Sequence, residues 1–370
     1  MKRFFVLICS LALLCSGCGA RTLPVSTPED TAPSVSAQSI DAARLLSLQD
    51  GESYRLMDYD GQRALLLIFD PENRAENNPY EVRLTDCERF AVLDLASGAV
   101  EQEYPVQTFG VCSGALLAYG GILFPLITVD DGGTITAAIY FQDGPSRTAV
   151  YRGGFTWFGD GPVLRRCGQD VLFSYSDDDA GTFGVNKITQ DGSVTSLLCL
   201  RENEAEYLSD DFSASDTGFA YAVEKSDRLT FYYGTADGTA LQEFSLPQGE
   251  KIYGFSLAGN ALLVSLAPAA EDSGRLRGVL AQFDPATGQQ TGCTALDGPL
   301  YNLSVNQNGN IGGSVFSVFQ ILSPTGEPTA AQSSVTGTLA HIYPGVNNFL
   351  IQIDGDTPER PALWQVTVTH

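Results

Sequence analysis

The chain has 370 residues, of which 44% are hydrophobic and only 18% charged, so it holds enough apolar material for a large core. Its 44 acids against 21 bases give a net charge of −23, which nucleic-acid backbones would repel, and this excludes DNA and RNA as partners. With His341 and His370 as its two histidines, it also lacks the material for a multi-histidine metal site or a relay of imidazole bases.

At the N-terminus, Lys2 and Arg3 precede the apolar run Phe4 to Leu14. Charge first and a short apolar stretch second is the order of an export signal, and the run is too short for the ~30 Å hydrocarbon core of a bilayer. It ends in Leu14-Cys15-Ser16-Gly17-Cys18, which resembles the lipobox of bacterial lipoproteins. That resemblance implies cleavage before Cys18 and lipidation of its thiol. Residues 1–17 are therefore expected to be a lipoprotein signal peptide. Residues 18–42, rich in Ser, Thr, Pro and Ala, read as a flexible tether, and residues 43–370 as a single folded domain. The expected address is the extracytoplasmic face of a membrane, held there by the lipid and not by the acidic domain.

Five cysteines follow Cys18, at 87, 112, 167, 199 and 293, without a Cys-x-x-Cys pair, so a zinc site is not expected. They read as isolated strand cysteines packing as small apolar side chains. Cys167 and Cys199 fall in one repeat and form the pair to examine for a disulfide.

From Tyr54 onward, helical periodicity gives way to short runs of Val, Ile, Leu, Phe and Tyr, separated by Gly, Asp, Asn and Pro. The fold class is all-β. Tight turns are expected at Ser97-Gly98, Asp143-Gly144, Asp191-Gly192, Asp237-Gly238, Thr287-Gly288 and Thr325-Gly326, spaced 38 to 50 residues apart. This is the period of a β-propeller blade, a four-stranded sheet packed radially against its neighbours. In the clearest unit the strands are expected at Asp211 to Ala214, Phe219 to Val223, Arg228 to Tyr233 and Thr239 to Leu246. The count points to seven blades, with six and eight as alternatives. Tyr54 to Tyr59 is the candidate for the missing outer strand that closes the ring by joining first and last segments.

The stretches Leu93-Asp94-Leu95-Ala96-Ser97-Gly98 and Phe283-Asp284-Pro285-Ala286-Thr287-Gly288 resemble the Asp-x-x-(Thr/Ser)-Gly turn of bacterial quinoprotein-like, YVTN-like and WD40-like propellers. The docking tryptophan of true quinoproteins does not follow that turn, because Trp157 and Trp364 lie elsewhere, so no quinone cofactor is implied. The likeness is architectural, and architecture does not fix function.

In such a ring the loops between second and third strands share one face. Here they are acidic: Asp70 to Asn78, Asp130-Asp131, Asp177-Asp178-Asp179, Glu224 to Asp227, Glu271-Asp272 and Asp354-Gly355-Asp356. Asp70, Asp130, Asp131, Asp177, Asp178, Asp179, Asp354 and Asp356 form the candidate binding face, a ring of carboxylates that would draw in cations or a basic partner. Calcium is the ion such oxygens suit, yet the EF-hand pattern is missing, and the expectation is no cofactor. A second candidate contact is aromatic, Trp157 and Phe158 with Tyr151 and Phe155, ahead of Arg165 and Arg166, whose side chains should point to opposite faces. His341 reads as a satisfied strand histidine. No nucleophile elbow, phosphate loop or zinc-protease motif occurs in a usable context. The leading expectation is a monomeric, membrane-anchored platform that binds a protein or glycan without catalysis. The alternative is a secreted glycosidase or lyase with paired carboxylates at the channel mouth.

Overall fold

The computed structural model describes residues 34–369 apart from 76–77, 85–87, 107–109, 113, 130–133, 154–163, 178, 247–249, 269–276, 330–334 and 355–360. They form a seven-bladed β-propeller. Blade one is the antiparallel sheet Ser53–Tyr59, Arg63–Phe69, Arg89–Asp94 and Val100–Pro105, counted from the channel outward. Blade three is Leu164–Cys167, Asp170–Asp177, Thr182–Ile188 and Val194–Arg201. Blade four is Glu206–Ala214, Gly218–Glu224, Leu229–Thr235 and Leu241–Ser245, and blade five is Glu250–Ala258, Ala261–Pro268, Gly278–Asp284 and Gln289–Leu296. Blade six departs from the four-strand pattern. It has Tyr301–Val305, Ile311–Val315 and Val318–Leu322, with single bridges Val318 to Thr336 and Leu322 to Pro328 along its outer edge.

What holds the ring together is the contact between blades. Among the described residues seven apolar clusters occur, each shared by two adjacent blades, and this matches the seven interfaces of a closed seven-membered ring. Strand residues on both faces of a blade are therefore apolar, as in Ala64 to Phe69, all buried. Tyr151 belongs to this packing: its ring lies 4.8 Å from that of Phe173 between blades two and three.

The ring closes by pairing N- and C-terminal strands, as expected, but the N-terminal strand is not the expected one. Tyr54 to Tyr59 lies in the innermost strand of blade one, and the outer strand of blade seven is Ser34–Ile40, from within the stretch that composition assigned to a tether. It pairs with the C-terminal strand from Ser34 opposite Thr369 to Ile40 opposite Leu363, outside Asn348–Asp354 and Thr338–Pro344. Val35 and Ala37 pack toward the cluster shared by blades six and seven. The alternation of small polar and apolar residues in Ser-Val-Ser-Ala-Gln-Ser-Ile is that of a strand with one face covered.

The six turn glycines all have positive φ, from +57° to +85°, and all join a third strand to the segment outside it. The acid opening the turn explains the recurring motif. At Asp94, one carboxylate oxygen accepts from the Ser97 N–H at 2.7 Å and the Ser97 hydroxyl at 2.9 Å, holding the carboxyl down at about 2. Asp284 caps its turn with both oxygens, Oδ1 accepting from the Ala286 N–H and Oδ2 from the Thr287 hydroxyl, both at 2.9 Å. These acids are turn caps. A Cβ on Gly288 would lie 2.6 Å from the Phe244 Cβ, whereas one on Gly144 would meet open space. Gly288→Ala is accordingly expected to cost about 2–3 kcal/mol in urea unfolding and Gly144→Ala about 1 kcal/mol.

Blade two comprises Leu116–Ala118, Gly121–Val129, Ile135–Asp143 and Ser146–Arg152, with Gly110–Cys112 also on the channel side of its second strand. Asp70 to Asn78 is not the simple loop expected. It enters an insert in blade one whose strand Asn78–Leu84 pairs through Val82, Arg83 and Leu84 with Cys112, Val111 and Gly110. The insert thus adds to the channel edge of the next blade.

Candidate functional site

Two faces result from the meander. Turns between first and second strands and between third and fourth strands make one, the hairpin face; the second-to-third loops and the links between blades make the other, the loop face.

Along the channel, the inner strands are tied to one another by polar groups. Asp58 of blade one is 1% exposed. It accepts the Leu117 N–H of blade two at 2.8 Å and both terminal nitrogens of Arg166 from blade three. Arg166 also donates to the Leu117 carbonyl at 3.0 Å, so three blades meet at one ion pair. Burial pushes the Asp58 carboxyl upward, opposed by Arg166 and the Leu117 amide. Arg165, one residue back, is exposed, as alternation along a strand requires. On the other side, the Tyr343 hydroxyl donates to the Met57 carbonyl and the Leu56 N–H donates to Gln352 Oε1 at 2.6 Å, joining blades seven and one.

His341 lies beside Tyr343, ring centroids 6.4 Å apart. It is half-buried on the innermost strand of blade seven, and desolvation by the surrounding protein together with the nearby Arg55 holds its imidazole down at about 3. Folding therefore favours the neutral ring: stability is full above the unfolded value near 6.5 and declines as pH falls toward 3. The slope is at most about 1.4 kcal/mol per pH unit, and channel water reduces it. Urea midpoints measured between pH 7 and pH 5 should fall for the natural protein and stay flatter for His341→Gln.

On the loop face, the described acids serve their own loops. Asp70 Oδ1 accepts the Glu72 N–H at 3.0 Å, Asp177 Oδ1 accepts the Ala180 N–H at 3.0 Å, and Asp354 Oδ1 accepts from Gln352 Nε2 at 3.2 Å. Asp179 is exposed. The stretch Glu224 to Asp227 is a tight turn, with Ser226 and Asp227 at φ +53° and +59°, and not a longer loop. Asp130, Asp131, Asp178, Asp356, Trp157, Phe158 and Cys18 lie outside the described residues. Among the described residues, no three His, Cys, Asp or Glu side chains are grouped to hold a metal ion. Cys167 is buried in the innermost strand and Cys199 exposed on the outermost strand of blade three, both as free thiols. Three strand spacings of ~4.8 Å keep them beyond disulfide reach.

The feature that the sequence reading missed sits where blades five and six meet on this face. Tyr301 is 43% exposed and Phe316 66% exposed. The Tyr301 ring meets Tyr253 edge-on at 5.3 Å, and Lys251 Nζ lies 5.4 Å from the Tyr253 ring. Phe316 and Ser317 form the two-residue turn after Ile311–Val315 with φ of +49° and +65°, and Asn302 beside Tyr301 has φ +53°. No glycine or asparagine in Val315-Phe316-Ser317-Val318 signals that turn. Two concavities occur among the described residues: a cleft of about 210 Å³ between blades one and two on the hairpin face, where Arg63 pairs with Asp60 at 2.7 Å, and an open groove of about 550 Å³ beside Leu45 and Val100.

No protein-family model matches the chain, and no curated protein matches it. Solved structures do. An oligogalacturonate lyase from Vibrio parahaemolyticus is 11% identical with a TM-score of 0.53, over 91% of this chain and 97% of that one. An oligogalacturonate lyase in complex with manganese is 13% identical at 0.52, over 86% and 91%. The WD40 domain of coronin from Toxoplasma gondii is 9% identical at 0.50, over 90% and 86%. The likeness is one of fold. At such identities it carries the propeller and neither lyase chemistry nor a partner.

Proposed function

We propose that this protein is an extracytoplasmic lipoprotein, anchored through lipid on Cys18, whose propeller is a non-catalytic, monomeric platform binding a protein partner by its loop face. One observation carries the reading: Phe316 stands mostly in solvent on a left-handed backbone, next to the exposed Tyr301. A bulky side chain in that conformation costs of order 1–3 kcal/mol, and exposure leaves the ring without the burial that would offset it. Aromatic side chains, Phe and Tyr among them, are enriched at protein interfaces. In the channel, by contrast, the Asp58 carboxylate is already committed to Arg166 and the Leu117 amide.

The two lyases share the fold, which leaves a polysaccharide-acting enzyme as the competing reading without an observation of its own. The test is Phe316→Gly. It removes the ring and relieves the backbone, so unfolding should show equal or higher stability by about 1 kcal/mol, while proteins co-purifying with the anchored chain are depleted several-fold. Joint replacement of Asp177, Asp178 and Asp179 by Asn should leave the fold intact and weaken the same association. Unchanged co-purification in both variants, or turnover of a polysaccharide by the natural protein, would remove the platform reading.

A further inference from the structure

The position at which the N-terminal strand enters the ring decides which face a lipid anchor can bring to a membrane. Ser34 pairs with Thr369, and the Val368 N–H donates to the Asn347 carbonyl at 2.8 Å, so the chain enters beside the turn Gly345-Val346-Asn347 on the hairpin face. Ile40 ends at the opposite face, opposite Leu363. Residues 19–33 separate Cys18 from this entry, a contour of at most about 55 Å. Reaching round to put the loop face against the bilayer would consume about 25 Å of that contour in climbing the blade.

The surface at the entry differs from the rest of the hairpin face. The turns of blades two to five expose Asp143, Asp191, Asp216, Asp237 and Asp284 or hold them near the surface. Around the entry, Gln307 and Asn308 of blade six are uncharged and bound to the neighbouring turn, Gln307 N–H to the Gly345 carbonyl at 3.0 Å and Asn308 N–H to the Val346 carbonyl at 3.1 Å. Val346 is 50% exposed. Glu327 is exposed at the outer rim of this sector, and at its blade-one edge, where Gly61 approaches Gly345, Asp60 is neutralised by its pair with Arg63 at 2.7 Å. An anionic leaflet repels the acidic turns of blades two to five and tolerates a neutral, slightly apolar sector.

We infer that the neutral sector formed by Gln307, Asn308, Val346 and Asn347 is the surface apposed to the phospholipid bilayer, so that the loop face with Tyr301 and Phe316 points away from it. This rests on the lipid-anchor reading. The test uses the lipidated full chain with Cys87, Cys199 and Cys293 replaced by Ser, and vesicles of phosphatidylethanolamine and phosphatidylglycerol carrying a headgroup energy acceptor. A fluorophore on Asn308→Cys should transfer several-fold more strongly than one on Asp179→Cys. Equal transfer, or stronger transfer from Asp179→Cys on protein that floats with the vesicles, overturns the apposition alone. Failure to float, with Cys18→Ala behaving as the natural chain does, overturns the anchor and the apposition with it.

Discussion

A chain beginning at residue 43 is expected to lose at least about 3 kcal/mol of stability relative to one beginning at residue 34, and to aggregate on warming. Removing Ser34–Ile40 deletes the whole ladder from Ser34 opposite Thr369 to Ile40 opposite Leu363. It also withdraws Val35 and Ala37 from the cluster around Phe319, Phe349 and Val366, and Ile40 from the cluster around Leu56 and Leu363. The strand Ala362–Thr369 then becomes an unpaired edge, the kind of surface that recruits other chains. Urea midpoints and light scattering on the two truncations check this. Equal midpoints would mean that the ring closes without the N-terminal strand.

The second large effect concerns the ion pair on the channel wall. Asp58→Ala should cost about 3 kcal/mol, the low end for a broken buried pair, because the Arg166 side chain keeps 33% exposure and can turn toward water. Arg166→Leu should cost more, about 4–5 kcal/mol at pH 7, because it strands a fully buried carboxylate. In that variant the pH dependence contributed by Asp58 grows, and its sign is definite. Asp58, already pushed upward by burial, loses the cation opposing the shift. Its contribution is then full below the unfolded value near 4 and is lost as pH rises through the elevated folded value, so Arg166→Leu should be more stable at pH 5 than at pH 7. Replacing both residues with Leu should recover a large part of either loss. A double variant as unstable as the sum of the singles would show that the two side chains do not act as a pair.

Repeat length and turn chemistry made the propeller legible in the sequence, because the glycines at 98, 144, 192, 238, 288 and 326 occupy positions where the backbone demands positive φ. Three of the four expected strands of blade four fall within two residues of the observed ones for the same reason, since short apolar runs bounded by Gly and Asp have few alternatives, whereas the innermost begins five residues earlier than expected, at Glu206. That N- and C-terminal strands close the ring was legible, but the closing strand itself was not, because Ser34 to Ile40 carries two large apolar residues and an outer strand covered on one side needs no more. Composition alone cannot separate such a strand from a linker. The acidic loops were visible as charge, but their hydrogen bonds to their own backbone, as at Asp70 and Asp177, depend on loop geometry that residue type does not encode. Asp58 and Arg166 are 108 residues apart, and only blade packing brings them together. Phe316 was hidden within an apolar run that reads as continuous strand.

The most direct test of the platform reading is a hydroxyl-radical footprint of the full chain, compared between native membranes and purified protein in detergent. Tyr301 and Phe316 should be several-fold less oxidised in membranes, with the turns at Asp191 and Asp237 unchanged. Equal oxidation of Tyr301 and Phe316 in both samples, or protection confined to the Asp191 and Asp237 turns, would contradict it.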